Sequence, residues 1–360
     1  MIDIFICFLC SCLTERAFCD IIVMNIRHGA ILMTIKDISE ALNISISTVS
    51  KALNDATDIA EETKLMVRKY AESMGYRLKP RQASRRICAM YERVDSDTRN
   101  NILTHVITAF TDIAIANNFE VISDTIASKP DGFNLDEYLK NNNFCAAFIV
   151  GMNYDSHAYK QLKKTSVPIV LMDNRVSDAP LIASVSSDNT AAIMRAVKHL
   201  YKRGHEKIGL LMGEKNSLVS AERLAGYILG LSQVSLDFNV EYVYKGDYTK
   251  ESGVHAAEFF SGTDVTAVIS CSDFMAMGLI DGLTAKGKRV PEDISVIGFD
   301  DIHILKYTNY NLTTIKQDFS LMGEQAFKQI AEMLAGRSSQ QIMLGCQLIE
   351  RGSVLDKRVK

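Results

Sequence analysis

From residue 87 onward the chain repeats one pattern, a short β-rich apolar run followed by an amphipathic stretch, and this alternation limits the possible folds more than any other feature. The runs are ICAMY (87–91), FEVIS (119–123), CAAFIVG (145–151), PIVLM (168–172), KIGLLMG (207–213), VEYVY (240–244), TAVISC (266–271) and ISVIGF (294–299). Helices fit between them, for example over 189–203, 221–233, 250–260 and 274–286. Nearly continuous apolar strands need cover on both faces, which strand–helix–strand repeats supply in a parallel sheet flanked by helices. About 270 residues are too many for one such sheet and suit two. Two sheets side by side leave a cleft at the carboxyl ends of their strands, where open α/β folds bind ligands.

Polar residues stand directly after these runs, at the positions that face such a cleft. Asp173 follows PIVLM, Ser272 and Asp273 follow TAVISC, Asp300 and Asp301 follow ISVIGF, and Arg223 opens a helix after KIGLLMG and its loop. Carboxylates beside a planar guanidinium offer converging acceptors and donors, which suits a polyhydroxylated ligand. Ser272 and Asp273 would serve equally well as caps of the helix that follows, whereas Arg223 with Asp300 fits a ligand site better. Catalysis finds little support: no GxxxxGK[ST], GxGxxG, HExxH or GxSxG pattern occurs, so neither an enzyme nor a cofactor is expected. His199 and His205 are expected at the surface and in a turn.

Ahead of this body, residues 34–54 (TIKDISEALNISISTVSKALN) read as two short helices joined by a tight turn. Ile35, Ile38, Ala41 and Leu42 recur at helical spacing on one face. Thr34 followed by Asp37 is a capping-box start. Asn43 tolerates the left-handed turn conformation, and Ser45 can cap the next helix. In that second helix Val49, Ala52 and Leu53 share the buried side, leaving Ile46, Ser47, Thr48, Ser50, Lys51 and Asn54 outside. Hydroxyls, an amide and a Lys suit a DNA major groove, because they bond phosphates and base edges. A third helix is expected with Glu61 and Glu62 in its first turn, Val67, Tyr70, Ala71 and Met74 inward and Gly75 at its end. Residues 77–86, RLKPRQASRR, carry five basic groups and no acidic one. Residues 33–86 hold a net charge of +3 while residues 87–360 hold −5, and a basic head on an acidic body fits a head that meets polyanion.

Cys7, Cys10, Cys12 and Cys19 crowd the first twenty residues, with Cys7 and Cys10 at metal-ligand spacing but no second pair at finger spacing; no metal site is expected. Cys88, Cys145, Cys271 and Cys346 stand singly in apolar runs and read as buried thiols in a reducing cytoplasm. Residues 4–13 are apolar but too short to span a membrane, and no basic residue precedes Arg16 as a secretory signal would want. Translation starting at Met33 or Met24 is therefore expected, with residues 1–32 a start-site artefact or disordered extension and a cleaved signal peptide the competing reading.

Six stretches, in order, carry a likeness that covers nearly the whole chain from Met33: TIKDISEALNISISTVSKALND, EETKLMVRKYAESMGY, HLYKRGHEKIGLLMG, SAERLAGY, VPEDISVIGFDD and LTTIKQDFSLMGEQAF. Together they resemble the LacI/GalR family of bacterial transcriptional repressors. The resemblance implies an α/β protein with an N-terminal three-helix helix-turn-helix domain (33–76), a basic hinge (77–86) and a two-subdomain core (87–360) like periplasmic sugar-binding proteins. By motif match, Ile46, Ser47 and Lys51 would read bases, and Ser45, Thr48, Ser50 and Asn54 would touch the DNA backbone. Asp173, Arg223, Ser272 and Asp300 fall on positions lining the effector cleft.

The sequence also departs from the family. Asn43 replaces the usual turn Gly, Ser272 stands where many members have Asn, and no Leu lies between Pro80 and Ile87 to wedge into the minor groove, so Arg85 or Arg86 is expected to contact that groove instead. No heptad tail follows LIERGSV, which favours a dimer over a tetramer. The expected protein is a cytoplasmic, dimeric, sequence-specific regulator, a repressor of carbohydrate-related genes. It would bind a near-palindromic double-stranded DNA operator and a sugar-like effector, with no membrane partner. The alternative is an exported sugar-binding protein sharing the two-lobed core.

Overall fold

Apolar strands that need cover on both faces occur in two sets here, and each set builds its own layered lobe. The structure, a computed structural model, describes residues 34–53, 59–74, 84–91, 99–126, 129 and 132–359. The chain divides into two compact units, Met1–Ala83 and Ser84–Lys360.

In the smaller unit, α1 (Ile35–Leu42), α2 (Ile46–Leu53) and α3 (Glu61–Ser73) surround a core of Ile38, Val49, Ala52, Val67 and Ala71. The Thr34 hydroxyl accepts from the Asp37 amide while the Asp37 carboxylate accepts from the Thr34 amide at 2.7 Å, closing the expected capping box. Asn43 takes the left-handed conformation at φ 52°. The Ser45 hydroxyl accepts from the Thr48 amide at 3.0 Å, so it caps α2 as its sequence position suggested. Two details differ from expectation. Ala41 is exposed rather than buried, because at about 100° per residue it lies at the margin of the stripe formed by Ile35, Ile38 and Leu42. Helix α3 stops at Ser73 with Met74 as its cap; Gly75, expected to end it, lies outside the described residues.

The larger unit carries two six-stranded sheets. The first comprises β1 (Arg86–Tyr91), β2 (Glu120–Thr125), β3 (Ala146–Val150), β4 (Ile169–Met172), β5 (Ile182–Ser187) and β11 (Gln341–Leu344), in the order β11-β5-β4-β3-β1-β2 and parallel throughout. Helices α4 (Arg99–Ala116) and α11 (Phe319–Leu334) cover one face, where Phe110 stacks on Phe148. Helices α5 (Leu135–Asn141) and α6 (His157–Gln161) cover the other. The second sheet comprises β6 (Ile208–Met212), β7 (Val243–Lys245), β8 (Ala267–Ser270), β9 (Ser295–Asp300), β10 (Thr313–Lys316) and β12 (Gln347–Ile349), in the order β12-β10-β9-β8-β6-β7. Only β12 runs antiparallel among these strands. It is packed by α7 (Asn189–Lys202), α8 (Leu218–Gln233), α9 (Lys250–Ser261) and α10 (Asp273–Ala285).

The chain passes between the lobes three times, at residues 187–189, 316–319 and 344–347. The sequence run VEYVY is not one strand: residues 240–242 form a 3-10 turn, capped by Asn239, and the strand begins at Val243. His199 and His205, expected outside, are buried. His205 bonds Thr266 Oγ1 and the Leu355 carbonyl, both at 3.0 Å, which ties the C-terminal segment to the start of β8. Cys88, Cys271 and Cys346 are buried free thiols, as expected, while Cys145 is half-buried.

Helices α9 and α10 approach so closely that a side chain at Gly278 would run into the Lys250 carbonyl, and one at Gly253 into the Met275 carbonyl. Both obstacles are backbone, which yields only by separating the helices. Gly278→Ala is therefore expected to destabilise the larger unit by about 2–3 kcal/mol. Thermal unfolding checks this, and an unchanged Tm would mean that the helices separate freely.

Candidate functional site

Each lobe ends its parallel strands toward the other, and between them lies a cleft with about 820 Å³ of empty space, counting its open mouth. All four residues expected in an effector site line it: Asp173, Arg223, Ser272 and Asp300. Asp173 leaves β4 with φ 57° and Asp300 ends β9 with φ 116°. Such conformations are costly for non-glycine residues and persist where the surroundings hold them, often at binding sites; here both turns put a carboxylate at the cleft.

Arg223 sits in the second turn of α8 and is buried. Its Nε donates to Asn189 Oδ1 at 2.9 Å, Nη1 donates to the Cys271 carbonyl, and the guanidinium carbon lies over the Phe299 ring, 3.6 Å from its centroid. The side chain is thus fixed on three sides before any ligand arrives. Burial pushes the Asp173 carboxyl up to about 6, against the opposing pull of Arg223. Burial likewise pushes Asp300 up to about 7, Asp173 adding to the rise while Arg223 and the Gln317 amide, 2.7 Å from Asp300 Oδ1, oppose it.

Ser272 does both things the sequence allowed. It lines the cleft, and its hydroxyl accepts from the Met275 amide at 3.1 Å as the cap of α10. Asp273 and Asp301 do not reach the cleft. Asp273 is buried behind it, accepting from the Thr314 hydroxyl at 2.5 Å and the Ile302 amide at 3.0 Å, and burial next to Asp300 raises its pKa. Asp301 pairs with Arg351 at 2.6 Å.

Asn174, Gln317 and Tyr248 also line the cleft but were not singled out in the sequence. Asn174 follows Asp173 directly, so the end-of-strand signal extended to it. Gln317 follows β10, whose sequence TTIK carries two hydroxyls and does not stand out as a strand. Buried polar atoms without a hydrogen-bond partner collect here: Asp173 Oδ1, Asn174 Oδ1 and Gln317 Oε1. Such groups are costly unless something completes them.

An unfolded Asp ionises near 3.9, whereas Asp300 keeps its proton to about 7 in the fold. Between these values the folded state binds more protons than the unfolded one, so stability falls as pH rises from about 4 to 7. Asp300→Asn mimics the protonated form and is expected to lose less stability than wild type between pH 5 and 8. Parallel Tm curves for the two would rule this carboxyl out as the source.

In the smaller unit, α2 turns its polar side outward. Ile46 is 52% exposed, Ser45, Ser47 and Lys51 are exposed, and Thr48 and Ser50 are half-exposed. Val49 and Ala52 are fully buried against the other two helices. Asn54, the remaining expected DNA-contact residue, lies outside the described residues. Arg85 and Arg86, expected at a DNA groove, both make contacts within the larger unit, with Arg85 exposed. Arg85 lies over the Phe119 ring and donates to the Asn117 carbonyl at 3.2 Å; Arg86 opens β1 and pairs with Glu120 at 3.0 Å. Strand pairing fixes the β1 backbone beside Glu120, which places the complementary charge next to Arg86.

Among the described residues no helix is long and apolar enough to cross a membrane. Residues 34–78 match the family described as bacterial regulatory proteins, lacI family, and residues 197–354 match the periplasmic binding protein-like domain. The HTH-type transcriptional regulator MalR of Streptomyces coelicolor is 30% identical over 335 residues, covering 88% of this chain and 95% of that protein. The HTH-type transcriptional repressor PurR of Mannheimia succiniciproducens is 28% identical over 337 residues, covering 90% of this chain and 99% of the relative. In fold, the chain is similar to the transcriptional regulator CelR solved as a cellobiose complex, with a TM-score of 0.69 and 22% identity over 89% of this chain and 99% of that one. These likenesses support the regulatory reading and not the exported binding protein. With its helix-turn-helix head and two-lobed periplasmic-binding-protein-like core, the chain belongs to the lacI family of bacterial transcriptional regulators.

Proposed function

We propose that the cleft binds a small sugar or sugar derivative whose occupancy controls how the protein, as a homodimer, holds a near-palindromic operator. The observation that carries this is the gathering of Asp173 Oδ1, Asn174 Oδ1 and Gln317 Oε1, buried and unpartnered, in one cleft between two lobes. Hydroxyls of a sugar both donate and accept, which suits carboxyl and amide groups gathered beside the Arg223 guanidinium. Gln317 and Asn189 lie at two of the three crossovers, bonded to Asp300 and Arg223 respectively, so a ligand touching those two side chains acts directly on the segments about which the lobes turn. Arg175, after β4, pairs with Glu222 on α8 across the lobes, a contact that such turning would change. An effector shifts this equilibrium only by its difference in affinity for the two lobe arrangements.

At the operator, Ile46, Ser47 and Lys51 read base edges, while Ser45, Thr48, Ser50 and Asn54 hold the phosphate backbone. Two-fold symmetry of the dimer sets the symmetry of the DNA site. Repression of carbohydrate-related genes follows from a sugar effector. The test is a thermal-shift screen of the full chain against sugars, followed by titration of each hit into the protein–DNA complex. A sugar that raises Tm must also change DNA affinity. A sugar that binds the cleft and leaves DNA affinity untouched would overturn the coupling.

A further inference from the structure

The two lobes meet through side chains as well as through the chain crossovers. Arg175 follows β4 in the first lobe, where its carbonyl accepts from the Tyr159 hydroxyl at 2.6 Å, and its guanidinium pairs with Glu222 on α8 in the second. Glu222 divides its carboxylate. Oε1 takes Arg175, and Oε2 accepts from the Asn189 amide nitrogen at 3.0 Å. Asn189 stands at the 187–189 crossover, and its Oδ1 in turn accepts from Arg223 Nε at 2.9 Å. Arg175, Glu222, Asn189 and Arg223 thus form one bonded series from the first lobe to the cleft.

Within the second lobe that series is held firmly. The Thr190 hydroxyl donates to the Glu222 carbonyl at 3.3 Å, and α7 and α8 pack so closely that a side chain at Gly226 would run into the Thr190 carbonyl. Asn189, Glu222 and Arg223 therefore move as one body, and the Arg175–Glu222 pair is a join that yields when the lobes turn. The Glu222 side chain is 14% exposed, so the pair is screened less than one at the open surface. A second bond, Asn216 donating to Asp155 at 2.5 Å, also spans the lobes.

We propose that Arg175 and Glu222 clasp the lobes in the arrangement of this structure, and that Glu222 is a positioning residue which, through Asn189, ties the setting of Arg223 to that arrangement. This deepens the proposed control of DNA by lobe turning and rests on it. A ligand held by Arg223 and a broken clasp then act on the same equilibrium.

The test compares Arg175→Met, Glu222→Gln and the double variant with wild type, all as full chains. It measures hydrogen exchange and affinity for the duplex that the wild-type chain enriches from a random pool. Glu222→Gln keeps an acceptor for Asn189 while ending the ion pair. The two single changes alter net charge in opposite directions yet break the same clasp. Each is expected to speed exchange in the lobe opposite the substituted residue, at residues 214–222 for Arg175→Met and 152–156 for Glu222→Gln, by about two- to fivefold, the range of one ion pair. Both should shift DNA affinity in the same direction, the double variant no further than either single one. Arg175→Lys, which keeps the charge, should return both readouts most of the way to wild type. Exchange that is unchanged in the opposite lobe overturns the clasp and leaves the proposed effector site standing. Affinity shifts of opposite sign overturn it as well, because they would follow net charge. Faster exchange with unaltered DNA affinity overturns the control of DNA by lobe turning, and the inference with it.

Discussion

Replacing Arg223 with alanine is expected to abolish any response to effector and also to destabilise the larger unit by about 3–5 kcal/mol, the usual cost of removing one member of a buried charged set. The guanidinium is buried, stacks on Phe299, bonds Asn189 and the Cys271 carbonyl, and opposes the charges of Asp173 and Asp300. Removing it leaves the two carboxyls facing each other without a counter-charge. They can escape by taking up protons, which is easier at low pH. The loss in Tm should therefore be smaller at pH 5.5 than at pH 8. A loss equal at both values would assign the effect to lost stacking and packing rather than charge. Arg223→Lys keeps the charge but not the planar fork, so it should recover part of the stability and little of the effector response.

The second large effect belongs to α2. Lys51→Ala is expected to weaken operator binding by about 1–3 kcal/mol and to relax base choice at one position in each half-site. Lys51 is exposed while Val49 and Ala52 hold the helix to the rest of the head, so the change should leave the fold of the smaller unit intact. Gel-shift titration against single-base variants of the operator separates the outcomes. A uniform loss across all variants with a shallower salt dependence would make Lys51 a phosphate contact instead.

What was legible in the sequence follows the chemistry of each segment. IGLLM throughout, and AVIS up to its final Ser, carry no polar side chain because both their faces are covered, and such runs announce themselves, as do the acids placed after them. Strand β5, IASVSS, and strand β10, TTIK, carry hydroxyls because they lead into the lobe crossovers, and that polarity hid them among loops. Gln317 was hidden with β10. Helix α11, which shares one face of the first sheet with α4, follows such a polar strand and so lacks the apolar run that marks the other helices' starts. In the head, Thr34, Asp37, Asn43 and Ser45 each have a local role set by neighbours three residues or fewer away, so the motif could be read directly. Ala41 misled because spacing alone cannot tell a buried stripe from its margin. For Arg85 and Arg86 the partners are distant in sequence, Asn117 and Glu120, and no local pattern pointed to them.

The central claim is that the outward face of α2 chooses the DNA sequence. Selection of binding sites from a random duplex pool tests it most directly, comparing the full chain with a variant carrying Ile46→Ala, Ser47→Ala and Lys51→Ala together. The wild-type chain should enrich a nearly two-fold symmetric sequence and the folded triple variant should enrich none. Enrichment of the same sequence by both would contradict the claim and move the reading surface elsewhere.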